Sequence, residues 1–172
     1  MRRPVAVRVV GPVQWIFIPA AITLAATLLL ATPISLFGLH LPEPVIPMVL
    51  AFAWAMIRPS IVAPVMLLLI GLLLDGFWGN PLGLWPLALL AIYGVVLFSR
   101  SFLVGQETAV LFVTYAACCL MAYGLCWLIM TLVTGTFPSL FAVAGSLIST
   151  LLLFPFANRV IERFEDGDVR FR

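Results

Sequence analysis

The chain lacks lysine and carries very little charge of either sign. Of its 172 residues, 64% are hydrophobic and 9% are charged, whereas about a quarter of the residues in an ordinary soluble domain are charged. This composition excludes a water-soluble fold. At about 20 residues per crossing, five or six membrane helices would use most of the chain. No room is left for a separate soluble domain.

The sequence is also poor in residues that catalyse reactions or bind metals. His40 is the only histidine, and it lies beside Glu43 in a short predicted loop, where a solvated residue is favoured over a catalytic base. Cys118, Cys119 and Cys126 share one apolar stretch without a histidine nearby, which favours simple packing over a disulfide or a metal site. We therefore expect no catalytic residue, no metal site and no cofactor. The absence of a basic patch gives no support for nucleic-acid binding.

Long uncharged runs predict the membrane spans. The 51 uncharged residues between Glu107 and Arg159 would form a helix of about 76 Å, so two spans must lie there. The stretch from Pro44 to Leu74 is divided by Arg58-Pro59 and is compatible with one kinked span or with two short ones. Two short ones give six spans, at approximately 14–37, 45–57, 60–75, 84–99, 109–133 and 139–157.

The positions of the arginines favour six spans over five. With six, all nine arginines lie on one side of the membrane, the asymmetry typical of cytoplasmic loops. With five, Arg58 would lie at membrane depth, at a cost of roughly 3 kcal/mol or more. The sequence therefore predicts one all-α membrane domain over 1–172, a bundle of six helices. Its N-terminal segment 1–13 and its tail 158–172 are both cytoplasmic, on either side of the spans in 14–157.

Small residues recur at four-residue spacing on two predicted spans. Ala21 and Ala25 lie on the first span, and Ala142 and Ser146 lie on the sixth. Such faces let helix backbones approach closely. Packing within the chain's own bundle is the simpler interpretation, and an interface with a partner is the alternative.

A motif at the end of the third predicted span places Gly71, Asp75, Gly79 and Gly83 at every fourth position. A carboxylate there is costly unless it reaches water or a hydrogen-bond donor. Asp75 is suited to accept hydrogen bonds from the free N–H groups that open span four. Gly79 and Gly83 would permit a tight reversal of the chain, and Pro81 would fix it. An ordinary turn with a solvated aspartate is equally compatible with the sequence.

With the Ile57-Arg58-Pro59 junction, this motif resembles the rod shape-determining protein family MreD, over about residues 54–86. The resemblance implies a non-enzymatic component of the bacterial elongation (rod) complex in the inner (plasma) membrane, which supports lateral peptidoglycan synthesis and cell shape. Its implied partner is the single-span protein MreC and, indirectly, the MreB filament and the peptidoglycan glycosyltransferase and transpeptidase. The residues implied as a structural motif or partner contact are Pro59, Gly71, Asp75, Gly79, Pro81 and Gly83.

The same family also suggests a second function. Its fold is thought to be similar to the six-helix substrate-binding subunits of energy-coupling-factor vitamin transporters, which dock their transport partner through small-residue spacing such as that of Ala21 and Ala25. A subunit of that kind needs a pocket with convergent polar or aromatic groups near the outer ends of the spans. The few candidates are His40, Glu43, Asp75, Trp78, Asn80 and Trp85.

Overall fold

The computed structural model describes residues 8–10, 13–30, 35–36, 39–40, 43–135, 137–165 and 169–171, with side chains over 14–30, 43–135 and 137–162. A π-helical turn, Val13–Phe17, leads into the first α-helix. The α-helices are α1 Ile18–Leu30, α2 Pro47–Ile57, α3 Val62–Trp78, α4 Leu84–Leu103, α5 Thr108–Thr134, α6 Leu140–Leu151 and α7 Phe154–Glu165. The strands are β1 Arg8–Val10, β2 Ser35–Leu36, β3 Leu39–His40 and β4 Val169–Phe171.

The packed body is helical, and its longest helices indicate a membrane protein. In the described part, α4, α5 and the segment Leu140–Glu162 are long and apolar enough to cross a bilayer. Gln14–Leu30, Pro47–Ile57 and Val62–Trp78 are shorter apolar helices. The structure therefore supports a helical membrane protein, while six crossings remain a prediction.

The structure contains two pairs of short β-strands that the all-α prediction did not include. β1 pairs in parallel with β4, with Arg8 opposite Val169, so segments near the two ends of the chain lie side by side. β2 pairs antiparallel with β3 after α1. These strands of two or three residues lie outside the helical body and correct the purely helical prediction only at its periphery.

The stretch between Pro44 and Leu74 forms two helices, not one kinked helix. α2 ends at Ile57 and α3 begins at Val62. Arg58, between them, has the extended conformation φ −157°, ψ 129°. The residue before a proline is driven towards this region by the proline ring, and Pro59 follows Arg58.

The predicted ends of the first and sixth spans are wrong. The first helix ends at Leu30 and not near residue 37. A proline in the sequence at position 33 disfavours continuation, because it lacks the N–H of a helix interior. The predicted sixth span breaks after Leu151, and the helix resumes as α7 up to Glu165, within the predicted tail. Pro155 cannot donate a hydrogen bond to Leu151, which accounts for the break.

The centre of the body is α2, which is surrounded on all sides. Every residue from Pro47 to Met56 is buried. Trp54, completely buried, donates its indole N–H to the carbonyl oxygen of Trp15 at 3.1 Å. α2 packs chiefly against α4 and α7. Its 11 residues rise only about 16 Å, roughly half the thickness of a bilayer core.

The start of α2 lies level with the middle of α5. The backbone N–H of Val45 donates to Thr150 Oγ1 at 3.1 Å. That oxygen lies 2.9 Å from the hydroxyl of Tyr123, and the hydroxyl of Tyr115 donates to the Thr150 carbonyl at 3.0 Å. Both tyrosines are near the middle of the 27-residue α5. The predicted second span therefore contains a short helix that is buried among the others, and Thr150 pairs an N–H that would be costly to leave unpaired in a bilayer.

Candidate functional site: the reversal between α3 and α4

At Gly71, helix α3 lies in close contact with the backbone of α4. A Cβ atom placed on Gly71 would lie 2.7 Å from the Cα atom and 2.8 Å from the Cδ atom of Pro86. These distances are far below normal contact, and the atoms belong to a rigid backbone and ring. A side chain at position 71 would therefore force the two helices apart.

Asp75 lies in the last turn of α3 and is completely buried. Its Oδ2 atom accepts the N–H of Gly83 at 2.7 Å, and its Oδ1 atom accepts the N–H of Trp85 at 3.1 Å. Both donors belong to the start of α4, where free N–H groups and the helix dipole favour a negative charge. These are the hydrogen bonds expected for Asp75 from the sequence, and each carboxylate oxygen serves one donor. The interpretation of a solvated aspartate is wrong.

Gly79 and Gly83 shape the chain between these helices. Gly79 follows the end of α3 with φ +65°, ψ +26°, and its N–H bonds the carbonyl of Asp75, which also accepts the N–H of Asn80 at 3.0 Å. Gly83 precedes α4 with φ +101°. Both are backbone conformations that side chains disfavour. The turn covers Gly79–Gly83, shorter than the predicted loop, because α3 continues past Asp75.

The two prolines of the motif lie in different turns. Pro81 lies in the reversal, and its carbonyl accepts the N–H of Leu84 at 3.2 Å. Pro59 is exposed in the turn between α2 and α3. The structure thus brings Gly71, Asp75, Gly79, Pro81 and Gly83 together, and it places Pro59 at the other end of α3.

That other end has a cationic cap which the sequence analysis missed. Arg100, in the last turn of α4, donates from Nε to the carbonyl of Met56 at 2.8 Å and from Nη2 to the carbonyl of Ile57 at 3.1 Å. These carbonyls end α2 and have no partner within their own helix. The hydroxyl of Tyr93 also donates to the Ser60 carbonyl at 3.1 Å. α4 therefore holds both turns that flank α3.

The hydrogen bonds around Thr150 were also missed. Tyr115 and Tyr123 are eight residues apart in α5, a spacing that places them on one helix face. This spacing was the available signal. Nothing in the sequence indicates that Thr150 is their common partner, because it lies 27 residues beyond Tyr123.

Ala21 and Ala25 are both exposed on α1. The face of α1 that packs on the body instead carries Ala20, Thr23 and Thr27. The simpler interpretation, in which Ala21 and Ala25 pack against the chain's own helices, is therefore wrong. Their small-residue face remains available to another molecule.

Four of the candidates for a ligand pocket lie close together at the reversal, namely Asp75, Trp78, Asn80 and Trp85. Asp75 is committed to α4. Asn80 and Trp85 line a cavity of about 220 Å³, together with residues of α5 and α6. Trp78 packs against Trp85 with ring centroids 5.4 Å apart and ring planes tilted by 57°. The side chain of His40 lies outside the described residues.

The chemistry of the reversal is that of a helix cap. Asp75 faces backbone donors on α4, an arrangement that fixes helix geometry and offers neither a nucleophile nor a base with a reacting partner. Over the described residues, no group of three or more histidine, cysteine, aspartate or glutamate side chains is placed to hold a metal ion.

Comparisons with protein-family models, with curated proteins and with solved structures found no match.

Proposed function

We propose that this chain is a non-enzymatic membrane component of the bacterial elongation complex, similar to the MreD family, and that it acts by binding. The observation that carries the proposal is the geometry of the Gly71, Asp75, Gly79 and Gly83 motif. Gly71 permits close packing, Asp75 caps α4, and the two later glycines have positive φ angles. Every position of the motif on which the resemblance rests thus has its own physical role in one reversal.

A six-span topology with both termini cytoplasmic belongs to this proposal. Six apolar helical segments are present in the described part, three of them long. The parallel pairing of β1 with β4 brings segments near the two ends of the chain together. This supports an even number of crossings, which would put both segments on one side of the membrane. The cap at Arg100 and the reversal at Asp75 lie at opposite ends of α4. This arrangement agrees with the positive-inside distribution of the arginines.

The proposed partner is an MreC-like protein with one membrane span, which would link the chain indirectly to the MreB filament and the wall-synthesising enzymes. Ala21 and Ala25 support a binding role, because they leave a small-residue face of α1 exposed. Within a bilayer, such faces permit the close helix contacts that drive association.

The substrate-binding subunit of an energy-coupling-factor vitamin transporter is the second candidate. The exposed Ala21 and Ala25 favour it equally, because they match the docking spacing of such subunits. The cavity at Asn80 and Trp85 is its candidate pocket, but about 220 Å³ is below the usual range of roughly 300–1,000 Å³ for ligand sites.

Co-purification of the detergent-solubilised chain from its own membrane separates the two functions. Recovery of a single-span protein with a coiled-coil region supports the elongation complex, and recovery of an ATP-driven coupling module supports the transporter. Replacing both Ala21 and Ala25 with leucine should remove the partner. The same replacement at Ala109 and Ala117, two alanines that are exposed on α5, provides the matched comparison and should leave the partner bound.

Depletion of the chain tests the cellular role. We expect rod-shaped cells to become round and to lyse as lateral wall synthesis fails. Unchanged shape together with lost vitamin uptake would reject the elongation complex in favour of the transporter.

A further inference from the structure

We propose that the groove between α1, α2 and α7 binds a membrane-spanning helix of another protein. The groove has a volume of about 700 Å³, and its lining includes Gln14, Ile18, Ile22, Thr23, Ala26 and Phe156. Ala21 and Ala25 are outside this lining, so the groove is a different surface from the small-residue face of α1. The inference rests on the proposed topology, in which Gln14–Leu30 is the first span, and it is compatible with either proposed function.

The groove is long and open on its side. Its lining along the first span runs from Gln14 to Leu30, about 24 Å along the helix axis. α1 and α7 each pack on α2, which forms the floor between them. On the two walls, Ile22 and Phe156 are 63% and 60% exposed. The opening therefore extends over most of the roughly 30 Å of a bilayer core, long enough for a helix to lie along α1.

The lining of the groove is apolar. None of its described residues carries a charge, and only Gln14 and Thr23 have polar side chains. A site for a small soluble ligand usually has several convergent polar groups, which this lining lacks. Ala26 contributes only a methyl group, which permits the close backbone approach found between membrane helices. The occupant is therefore predominantly apolar.

The hydroxyl of Thr23 has no hydrogen-bond partner within the described part of the chain. Other threonines in the helices donate to the carbonyl oxygen four residues earlier, namely Thr27, Thr114, Thr131, Thr134 and Thr150. Thr23 makes no such bond to the carbonyl of Pro19. Only 7% of Thr23 is exposed, and the residue lines the groove. A partner for this hydroxyl therefore comes from the groove.

The depth of Thr23 distinguishes a helix from a lipid chain. Thr23 lies near the middle of Gln14–Leu30, about 10 Å along the axis from Leu30. In the proposed topology this is the depth of the hydrocarbon chains, which have no hydrogen-bond acceptor. A hydroxyl buried there without a partner costs free energy. A membrane-spanning helix brings serine or threonine hydroxyls and carbonyl oxygens to this depth, and such groups bond across helices.

Photocrosslinking in native membranes tests the proposal. Phe156, on the wall of the groove, is replaced by benzoylphenylalanine, which keeps the aromatic ring, and irradiated adducts are sequenced by tandem mass spectrometry. We expect an adduct to the middle of an uncharged segment of about 20 residues in another membrane protein. The same replacement at Phe141, which is 92% exposed on α6, is the matched control and should not give this adduct.

Variants made in the crosslinking chain show whether the hydroxyl is used. Thr23→Val keeps the shape of the side chain and should lower the adduct yield about threefold to tenfold, the factor for one hydrogen bond between membrane helices. Thr23→Ser retains the hydroxyl and should retain the yield. Thr114→Val removes a hydroxyl that bonds within α5 and is the control. Ala26→Phe fills the groove and should abolish the adduct. Thermal unfolding shows whether each variant is folded.

An adduct supports the proposal only if its yield depends on the Thr23 hydroxyl. Adducts of the Phe156 probe to lipid alone would overturn the proposal, and so would an unchanged yield in Thr23→Val. An equal yield of the same adduct from the Phe141 probe would mean that the contact is non-specific, and an adduct to a second copy of this chain would replace the proposed partner with self-association. Either proposed function can fail while the expected adduct forms, because Ala21 and Ala25 are outside the groove.

Discussion

Residues of opposite charge at the two ends of α4 cap two different helix ends. At its start, the carboxylate of Asp75 accepts backbone N–H groups of Gly83 and Trp85. In its last turn, the guanidinium of Arg100 donates to the carbonyls of Met56 and Ile57, which end α2. A helix start offers free donors and a helix end offers free acceptors, so each cap carries the charge that its helix end favours.

The two caps also differ in how they are joined to the chain. Asp75 and its donors are eight and ten residues apart, within one reversal. Arg100 reaches carbonyls 43 and 44 residues away. A charged side chain thus caps a helix at both ends of α4. The cap at Asp75 is formed within one stretch of sequence and is visible as a motif, whereas the cap at Arg100 depends on tertiary packing.

Removal of the anionic cap should have the largest effect. Asp75→Leu leaves two enclosed N–H groups unpaired, so we expect the free energy of unfolding to fall by about 3 to 5 kcal/mol. Asp75→Asn retains one oxygen for one donor and should lose roughly half as much. Thermal unfolding in detergent, with membrane abundance measured alongside, compares the two. Equal stability of both variants and wild type would mean that the cap is not needed.

Separation of the helices at Gly71 should come next. Gly71→Ala places a methyl group against the backbone of Pro86 and should destabilise the protein by about 2 to 3 kcal/mol. Gly76→Ala is the matched control, because it lies on the same helix with nothing within 4 Å of its added Cβ. That control should be neutral or slightly stabilising. If both alanines behave alike in thermal unfolding, close packing of α3 on α4 is not limiting.

Removal of the cationic cap should have a smaller effect, since Arg100 is only partly buried and water can reach its surroundings. Arg100→Leu leaves two carbonyls without their donors and should cost about 2 kcal/mol. Arg100→Lys keeps the charge but not the two-pronged geometry, and it should fall between leucine and arginine. The comparison of the two caps fails if Arg100→Leu destabilises more than Asp75→Leu in the same unfolding assay.

The glycines of the reversal should show the smallest effects. Gly83→Ala must accept φ +101°, outside the small left-handed region, at a cost of about 1 kcal/mol or slightly more. Gly79, at φ +65°, lies within that region, so Gly79→Ala should cost less. Unfolding midpoints of the two variants and wild type give the order. A larger loss at Gly79 would contradict this account of the reversal.

The reversal could be predicted because its determinants are close in sequence. Spacing and charge together located Asp75, its donors and the flexible glycines. The uncharged runs predicted the positions of the helices. They misplaced the end of α3, because the charge of Asp75 suggested a boundary three residues before Trp78. Its buried hydrogen bonds make that aspartate compatible with the helix interior.

The remaining features depend on contacts between distant residues. The positive-inside pattern already explained the position of Arg100 in the sequence. Nothing else in the sequence indicated that Arg100 also caps the end of α2. α2 is only about half as long as a bilayer core is thick. It is stable at this length because other helices surround it and Thr150 pairs the N–H of Val45. Hydropathy alone cannot show that so short a helix is buried on all sides by the others.

The central claim is that the turns capped by Arg100 and Asp75 lie on opposite sides of the membrane. Ile61 and Leu82 are 87% and 80% exposed in these two turns, so each is suited to a single reporter cysteine. The three native cysteines are first replaced by alanine, and an impermeant maleimide is applied to intact cells. We expect labelling of Leu82→Cys from outside and labelling of Ile61→Cys only after the membrane is opened. Labelling of both positions from the same side would contradict the topology and the account built on it.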